Sequence, residues 1–228
     1  KQPHDSKVIK KLKIYIGGVS NLSKERLLDE LKKILKLEIL EKLSKDKISI
    51  EILLMIFPEM KNINIFSKLS PSKKDILRVN DFIFLLSLII IDQTDNVDYF
   101  LYRFNISKKD KKRIKIIDNF FKIKINSKTF NDLNLNKVFY YEGKQALIDI
   151  LNFKIIKSKK IDANLMYLKE KYTSKEIPMM PIGADILMSK YNIPAGKQLG
   201  DKLKIIEREW VNNNFNISNK QIENIINN

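Results

Sequence analysis

Between Met180 and Phe215 the chain gathers glycine, proline and lysine in a pattern that can bind an anion. Pro194-Ala195-Gly196 runs into Lys197-Gln198-Leu199-Gly200-Asp201-Lys202-Leu203-Lys204. Gly196 and Gly200 are four residues apart, so at helical spacing they share one face. Pro194 fixes φ just ahead of the helix start. The first N–H groups of a helix lack intrahelical acceptors and lie at the positive end of its dipole. Lys197, Lys202 and Lys204 add charge beside them, and the sum suits a phosphate. An ordinary helix corner, with glycines for close packing, fits the same residues equally well, because short glycine patterns are weak motifs.

A second candidate is Lys108-Lys109-Asp110-Lys111-Lys112-Arg113, five basic residues in six, just after Ser107. Cations at a helix start oppose the dipole, so their presence there points to a polyanionic partner more than a random solvated face does. Lys154 to Lys160 and Lys7 to Lys13 each hold four basic residues in seven. The whole chain carries 43 Lys and Arg against 27 Asp and Glu, a formal charge of +16. A domain this basic suits a polyanion, although a chain rich in Lys, Ile and Asn owes part of its excess to compositional bias.

The elements that must position these groups read as helix almost throughout. Periodicity and turn chemistry predict helices over 6–16, 23–43, 47–57, 80–91, 96–103, 107–124, 135–158, 162–172, 183–191, 195–213 and 218–226. Breaks fall at Pro58, Ser70-Pro71, Asp92 to Asp95, Pro178 to Pro181 and Pro194. No alternating segment with hairpin glycines occurs, so the expected fold is all-α; Ile89 to Ile91 and Lys122 to Ile125 are the places where a short strand could form. Length allows one large or two small domains, and there is no internal repeat. There is no cysteine, hence no disulfide and no thiolate metal site. The single histidine, His4, cannot build a metal triad and reads as a solvated terminal residue. Asp92, Asp95 and Asp98 surround a turn and fit caps better than a metal site. The longest apolar run, Phe82 to Ile91, is too short to span a membrane, which needs about 20 residues. A cytoplasmic protein without a membrane partner is the expectation, and its oligomeric state is not legible.

The first stretch also carries a resemblance. Pro181-Ile-Gly-Ala-Asp-Ile-Leu187, then Ile193-Pro-Ala-Gly196, Leu199-Gly200, Leu203, Glu207 and Trp210 resemble the C-terminal region of bacterial tRNA nucleotidyltransferases (CCA-adding enzymes), whose architecture bacterial poly(A) polymerases share. The family usually has proline after the first glycine of the turn, where this chain has Lys197, and a shorter spacer after Asp185. A second stretch agrees. Val19 to Leu35 resembles the family's neck segment, with Ser23 as a helix cap, Glu25 in the first turn and Arg26 within reach of Asp29 or Glu30. A third and looser match is Phe104 to Ile114, which resembles the body segment where a polar turn precedes a basic helix.

The resemblance implies an all-α neck, body and tail array lacking the catalytic α/β head, divided as neck 1–70, body 71–160 and tail 161–228. It implies that the parent enzyme uses Mg2+ with CTP or ATP, adding C, A or both to tRNA 3′ ends, or a poly(A) tail. The head motifs do not occur here: Gly17-Gly18 is followed by Val19-Ser20-Asn21, with no aspartate pair nearby. The chain therefore reads as the C-terminal part of a longer protein. It has no catalytic or metal residues of its own, is inactive alone, and contacts tRNA or other structured RNA through Lys108, Lys109, Lys111, Lys112, Arg113, Gly196, Lys197, Gly200, Lys202 and Lys204. A stand-alone nucleic-acid-binding protein and a helical interaction module are the alternatives.

Overall fold

A computed structural model describes residues 6–123 and 129–227, and all its regular structure is helical. The first helices are α1 Ser6–Tyr15, α2 Lys24–Ile34, α3 Leu37–Leu43, α4 Lys47–Ile56, α5 Pro71–Arg78, α6 Phe82–Ile90, α7 Asn96–Arg103 and α8 Lys108–Lys122, with 3-10 turns at Ile16–Asn21 and Ile63–Lys68. Then come α9 Asp132–Tyr141, α10 Lys144–Lys157, α11 Ala163–Ser174, α12 Ala184–Tyr191, α13 Lys197–Asn212 and α14 Asn219–Asn227. No strand occurs among the described residues, and Ile89 and Ile90 belong to α6. His4 and much of the 122–125 stretch lie outside the described residues. Among those described, no helix is long and apolar enough to cross a membrane.

The chain forms two compact units, Lys1–Lys124 with Asn152–Asp162, and Ile125–Leu151 with Ala163–Asn228. In the first unit α6 is the hub. It is buried from Ile83 to Ile90, and Asp81 caps its start by accepting from Phe84 N at 3.0 Å. Phe57 and Phe100 pack on Phe104, with centroids 5.8 and 4.7 Å away. Asn96 Nδ2 donates to the carbonyls of Glu59 and Ile90, both at 2.7 Å, so its buried amide is satisfied. In the second unit Leu187, Ile193, Leu199, Ile206 and Ile222 form a core joining α12, α13 and α14.

The structure corrects three expectations. The helix predicted over 23–43 is two helices, because Leu31, Leu35, Leu37 and Leu40 are all buried. In one straight helix Leu35 and Leu37 would point about 200° apart, and the break at Lys36 turns both inward. The helix predicted over 135–158 is also two. Gly143, at φ +90°, turns the chain after α9, a conformation that costs little only for glycine. The sequence reading has its break at Ser70-Pro71 but predicts no helix from there to residue 80, where α5 forms. Ser70-Pro71 is its N-cap and N1 pair, with Ser70 Oγ accepting from Lys73 N.

Gly143→Ala should destabilise the fold by about 1 kcal/mol, the cost of an L-residue in a left-handed conformation. Nothing lies within 4 Å of an added Cβ, so no clash contributes. Urea unfolding checks this, and an unchanged midpoint would show that the turn does not need glycine.

Candidate nucleic-acid interface

The start of α13 is built by the turn before it. α12 ends on Asn192 at φ 52°, a left-handed cap that lets Ile193 N donate to the Leu187 carbonyl at 3.3 Å. Ile193 drops into the core, and Pro194 and Ala195 carry the chain over to Gly196. Gly196 has φ 148° and ψ −165°, outside the range of L-residues, and its missing side chain leaves the helix start without a side-chain cap. An added Cβ at Gly196 or Gly200 would meet nothing within 4 Å, so neither glycine serves close packing. Lys197 is exposed in the first turn, and Lys204 is exposed further along. Lys202 is committed elsewhere: its ammonium donates to the carbonyls of Ile225 and Ile226 at 3.1 and 2.7 Å and closes the end of α14. A groove of about 740 Å³ opens here, lined by Lys197, Gln198, Asp201, Lys202, Ile205 and Ile225. The Asp201 carboxylate repels an anion from the groove itself and leaves the exposed turn as the favourable place.

The start of α8 is capped differently. Ser107 Oγ accepts from Asp110 N at 3.1 Å and donates to the Asp110 carboxylate at 2.7 Å. That reciprocal cap places one negative charge at the dipole's positive end, which offsets the cost of the lysines there. Lys108, Lys109 and Lys112 are exposed and Lys111 is half-buried. Arg113 is structural in its contact: its guanidinium pairs with Asp81, tying α8 to the residue that caps α6. Further along, Asp118 is fully buried and Lys122 Nζ approaches it to 3.0 Å. Lys115 and Lys122 both also pair with Asp98. These ammonium groups hold Asp98 well below the usual carboxylate range.

At the start of α2, Ser23 Oγ accepts from Arg26 N at 3.2 Å, and Glu25 is exposed in the first turn. Asp29 and Glu30 do not bind Arg26. They pair with Lys32 and Lys33 at 3.0 and 2.8 Å, each three residues on, and the Arg26 guanidinium faces solvent.

Among the described residues no three of His, Cys, Asp and Glu converge to hold a metal ion. The Asp92 carboxylate accepts from Thr94 N and Oγ1 and pairs with Lys61, and Asp95 sits at the N-cap position of α7. Two lysines outside the sequence-predicted set have notable surroundings. Lys175 lies over the rings of Phe139, Tyr172 and Phe215, 5.0 to 5.7 Å from their centroids. Its Nζ also donates to Asn136 Oδ1 at 3.2 Å, so the cage is satisfied. Lys157 lies over Phe153, and burial lowers its pKa to about 8 against a weaker opposing pull from Asp92. The Lys175 cage is not legible in sequence, because Phe139 and Phe215 are distant along the chain, and for Lys157 only the Phe153 contact, four residues back on α10, is local.

The sequence matches the family described as tRNA nucleotidyltransferase domain 2 over residues 79–226, well over half the chain. The chain belongs to this family. A comparison with curated proteins found no match. The tRNA nucleotidyltransferase segment takes in α6 through α13 and nearly all of α14, and both basic helix starts fall inside it. The stretch around Ser23, Glu25 and Arg26 precedes it.

The Lys157 environment has a pH consequence. Its folded pKa of about 8 lies below the unfolded value near 10.5, so the unfolded chain binds the extra proton between those values and this group's contribution to stability rises with pH across that window. Lys157→Met should therefore stabilise the protein at pH 7 by on the order of 1–2 kcal/mol, discounted for partial solvation. The gain should shrink toward zero by about pH 10.5. Urea unfolding of both proteins at pH 7 and pH 10 checks this, and a difference that does not change with pH would contradict it.

Proposed function

We propose that this segment holds tRNA for a nucleotidyltransferase that adds C or A to the tRNA 3′ end, the transfer chemistry and its Mg2+ belonging to a head outside these residues. In this proposal the α8 and α13 starts contact backbone phosphates. A-form RNA hides its base edges in a deep, narrow groove, so recognition runs through shape and phosphate contacts. Lys108, Lys109 and Lys197 supply the charge, and Gly196 gives close access to the backbone N–H groups of α13. Lys204 extends the same positive strip, while Lys202 and Arg113 act first on the protein itself. The observation that carries the proposal is the pairing of an uncapped, exposed, lysine-bearing helix start with membership of a tRNA-processing family.

The expected consequence is measurable without catalysis. Removing one lysine–phosphate interaction should flatten the plot of log affinity against log salt by about 0.7 to 0.9. Lys197→Ala should weaken binding of tRNA lacking its 3′ end by that one step, across tRNA sequences, with an unchanged melting curve. Lys108→Ala with Lys109→Ala should remove roughly two steps. If all variants fold and keep the parent's affinity and slope, the two helix starts are packing corners and the proposal fails.

A further inference from the structure

Within the first unit, the 3-10 turn ending at Lys68, the first turn of α5 and the residues just after α10 meet around a concave pocket of about 370 Å³. Lys68, Ser70, Ser72, Lys73, Lys159 and Lys160 line it, and among the described residues no carboxylate does. The chain brings these lysines together from its two separate segments in the unit. Lys73 is what joins them. Its ammonium donates to the carbonyls of Ile156, at 2.9 Å, and Ser158, closing the end of α10. That contact fixes Lys159 and Lys160, the next residues along, against the start of α5. Burial in this position pushes the Lys73 ammonium below the usual lysine range. Lys68, Lys159 and Lys160 are exposed, and among the described residues none is paired with a carboxylate.

Gathering ammonium groups in a concavity without a counter-charge raises the local potential, and a bound polyanion relieves it. The lining contains lysine and no arginine. Lysine is a point charge that contacts phosphate without a planar fork, so the pocket suits backbone phosphates rather than base edges. We propose that this pocket is a phosphate site for an RNA backbone, with Lys68, Lys159 and Lys160 supplying the charge and the Ser72 hydroxyl a neutral donor. The site rests on the RNA-holding function proposed above and adds a contact built partly from α5, which lies ahead of the matched family segment.

The test uses the full chain and tRNA lacking its 3′ end. Binding is measured between 50 and 200 mM salt for the parent, for Lys68→Ala/Lys159→Ala/Lys160→Ala, and for Ser72→Asp. The triple variant should bind about tenfold or more weakly and with a slope shallower by about two units. Ser72→Asp puts a carboxylate in the pocket at a position where the helix dipole favours an acid, so it should weaken binding comparably while the melting temperature holds or rises. If the parent binds tRNA with a steep salt slope and both variants match it, this pocket is not an RNA site although the wider proposal stands. If the parent shows no salt-dependent tRNA binding, both fail. Inorganic pyrophosphate is titrated in parallel: protection of Lys159 and Lys160 from acetylation by pyrophosphate, with unchanged tRNA binding in the variants, would assign the pocket to a free anion and overturn the RNA assignment.

Discussion

The fold depends on closing the ends of short helices. The α-helices run from 7 to 16 residues, and helices of that length are marginal alone in water. Each leaves unpaired N–H groups at one end and carbonyls at the other, so a large share of the backbone needs partners from elsewhere. Ser23, Asp46, Ser70, Asp81, Ser107 and Asn131 close helix starts with side-chain oxygens. Lys73 and Lys202 close helix ends by donating to carbonyls. Arg103 does similar work, donating to the Ile56 carbonyl at 2.9 Å while pairing with the buried Glu59. The starts of α3, α7, α12 and α13 have no side-chain cap, and of these α13 has an exposed lysine, Lys197, as its first residue. In the function we propose, an oxygen-bearing anionic partner completes its first N–H groups.

The same constraint sorts the lysines. A formal charge of +16 suggests a uniformly basic surface, yet many cations are committed within the protein. Lys73 and Lys202 cap helices, Lys115 and Lys122 neutralise Asp98, Lys122 also neutralises the buried Asp118, and Lys175 sits among aromatic rings. Exposed pairs contribute little to stability, but a buried carboxylate without its cation is costly, so these lysines are held in place. Among the lysines that remain exposed, those at two helix starts and around the pocket beside α5 are the ones grouped together. Net charge suits a polyanion, and in the function we propose the capping pattern says where one would be held.

Much of this is legible in the sequence. The apolar period along α2, the Ser107 start of α8, and the Gly196 turn with its approach from Ile193 and Pro194 all follow from local rules, and the structure has them in place. The helix breaks at Lys36 and Gly143 escape such a reading because the apolar period continues across both. Only the tertiary requirement that Leu35 and Leu37 both face inward forces the first, and a positive φ at one half-buried glycine makes the second. Spacing misassigns the partners of Arg26 for a related reason. It allows Arg26 to reach Asp29 and Glu30, but it equally allows Lys32 and Lys33, and they take both carboxylates. The roles of Lys73, Lys157 and Lys202 need contacts from far along the chain or from the end of another helix, which no periodicity records.

Amide hydrogen exchange, followed with and without tRNA lacking its 3′ end, tests the central claim most directly. With the protein saturated by tRNA, the account predicts slower exchange at the free N–H groups of residues 108, 109 and 197–199, with the interior of α6 unchanged because it is already protected. Saturating tRNA that leaves exchange at both helix starts unaltered would contradict it.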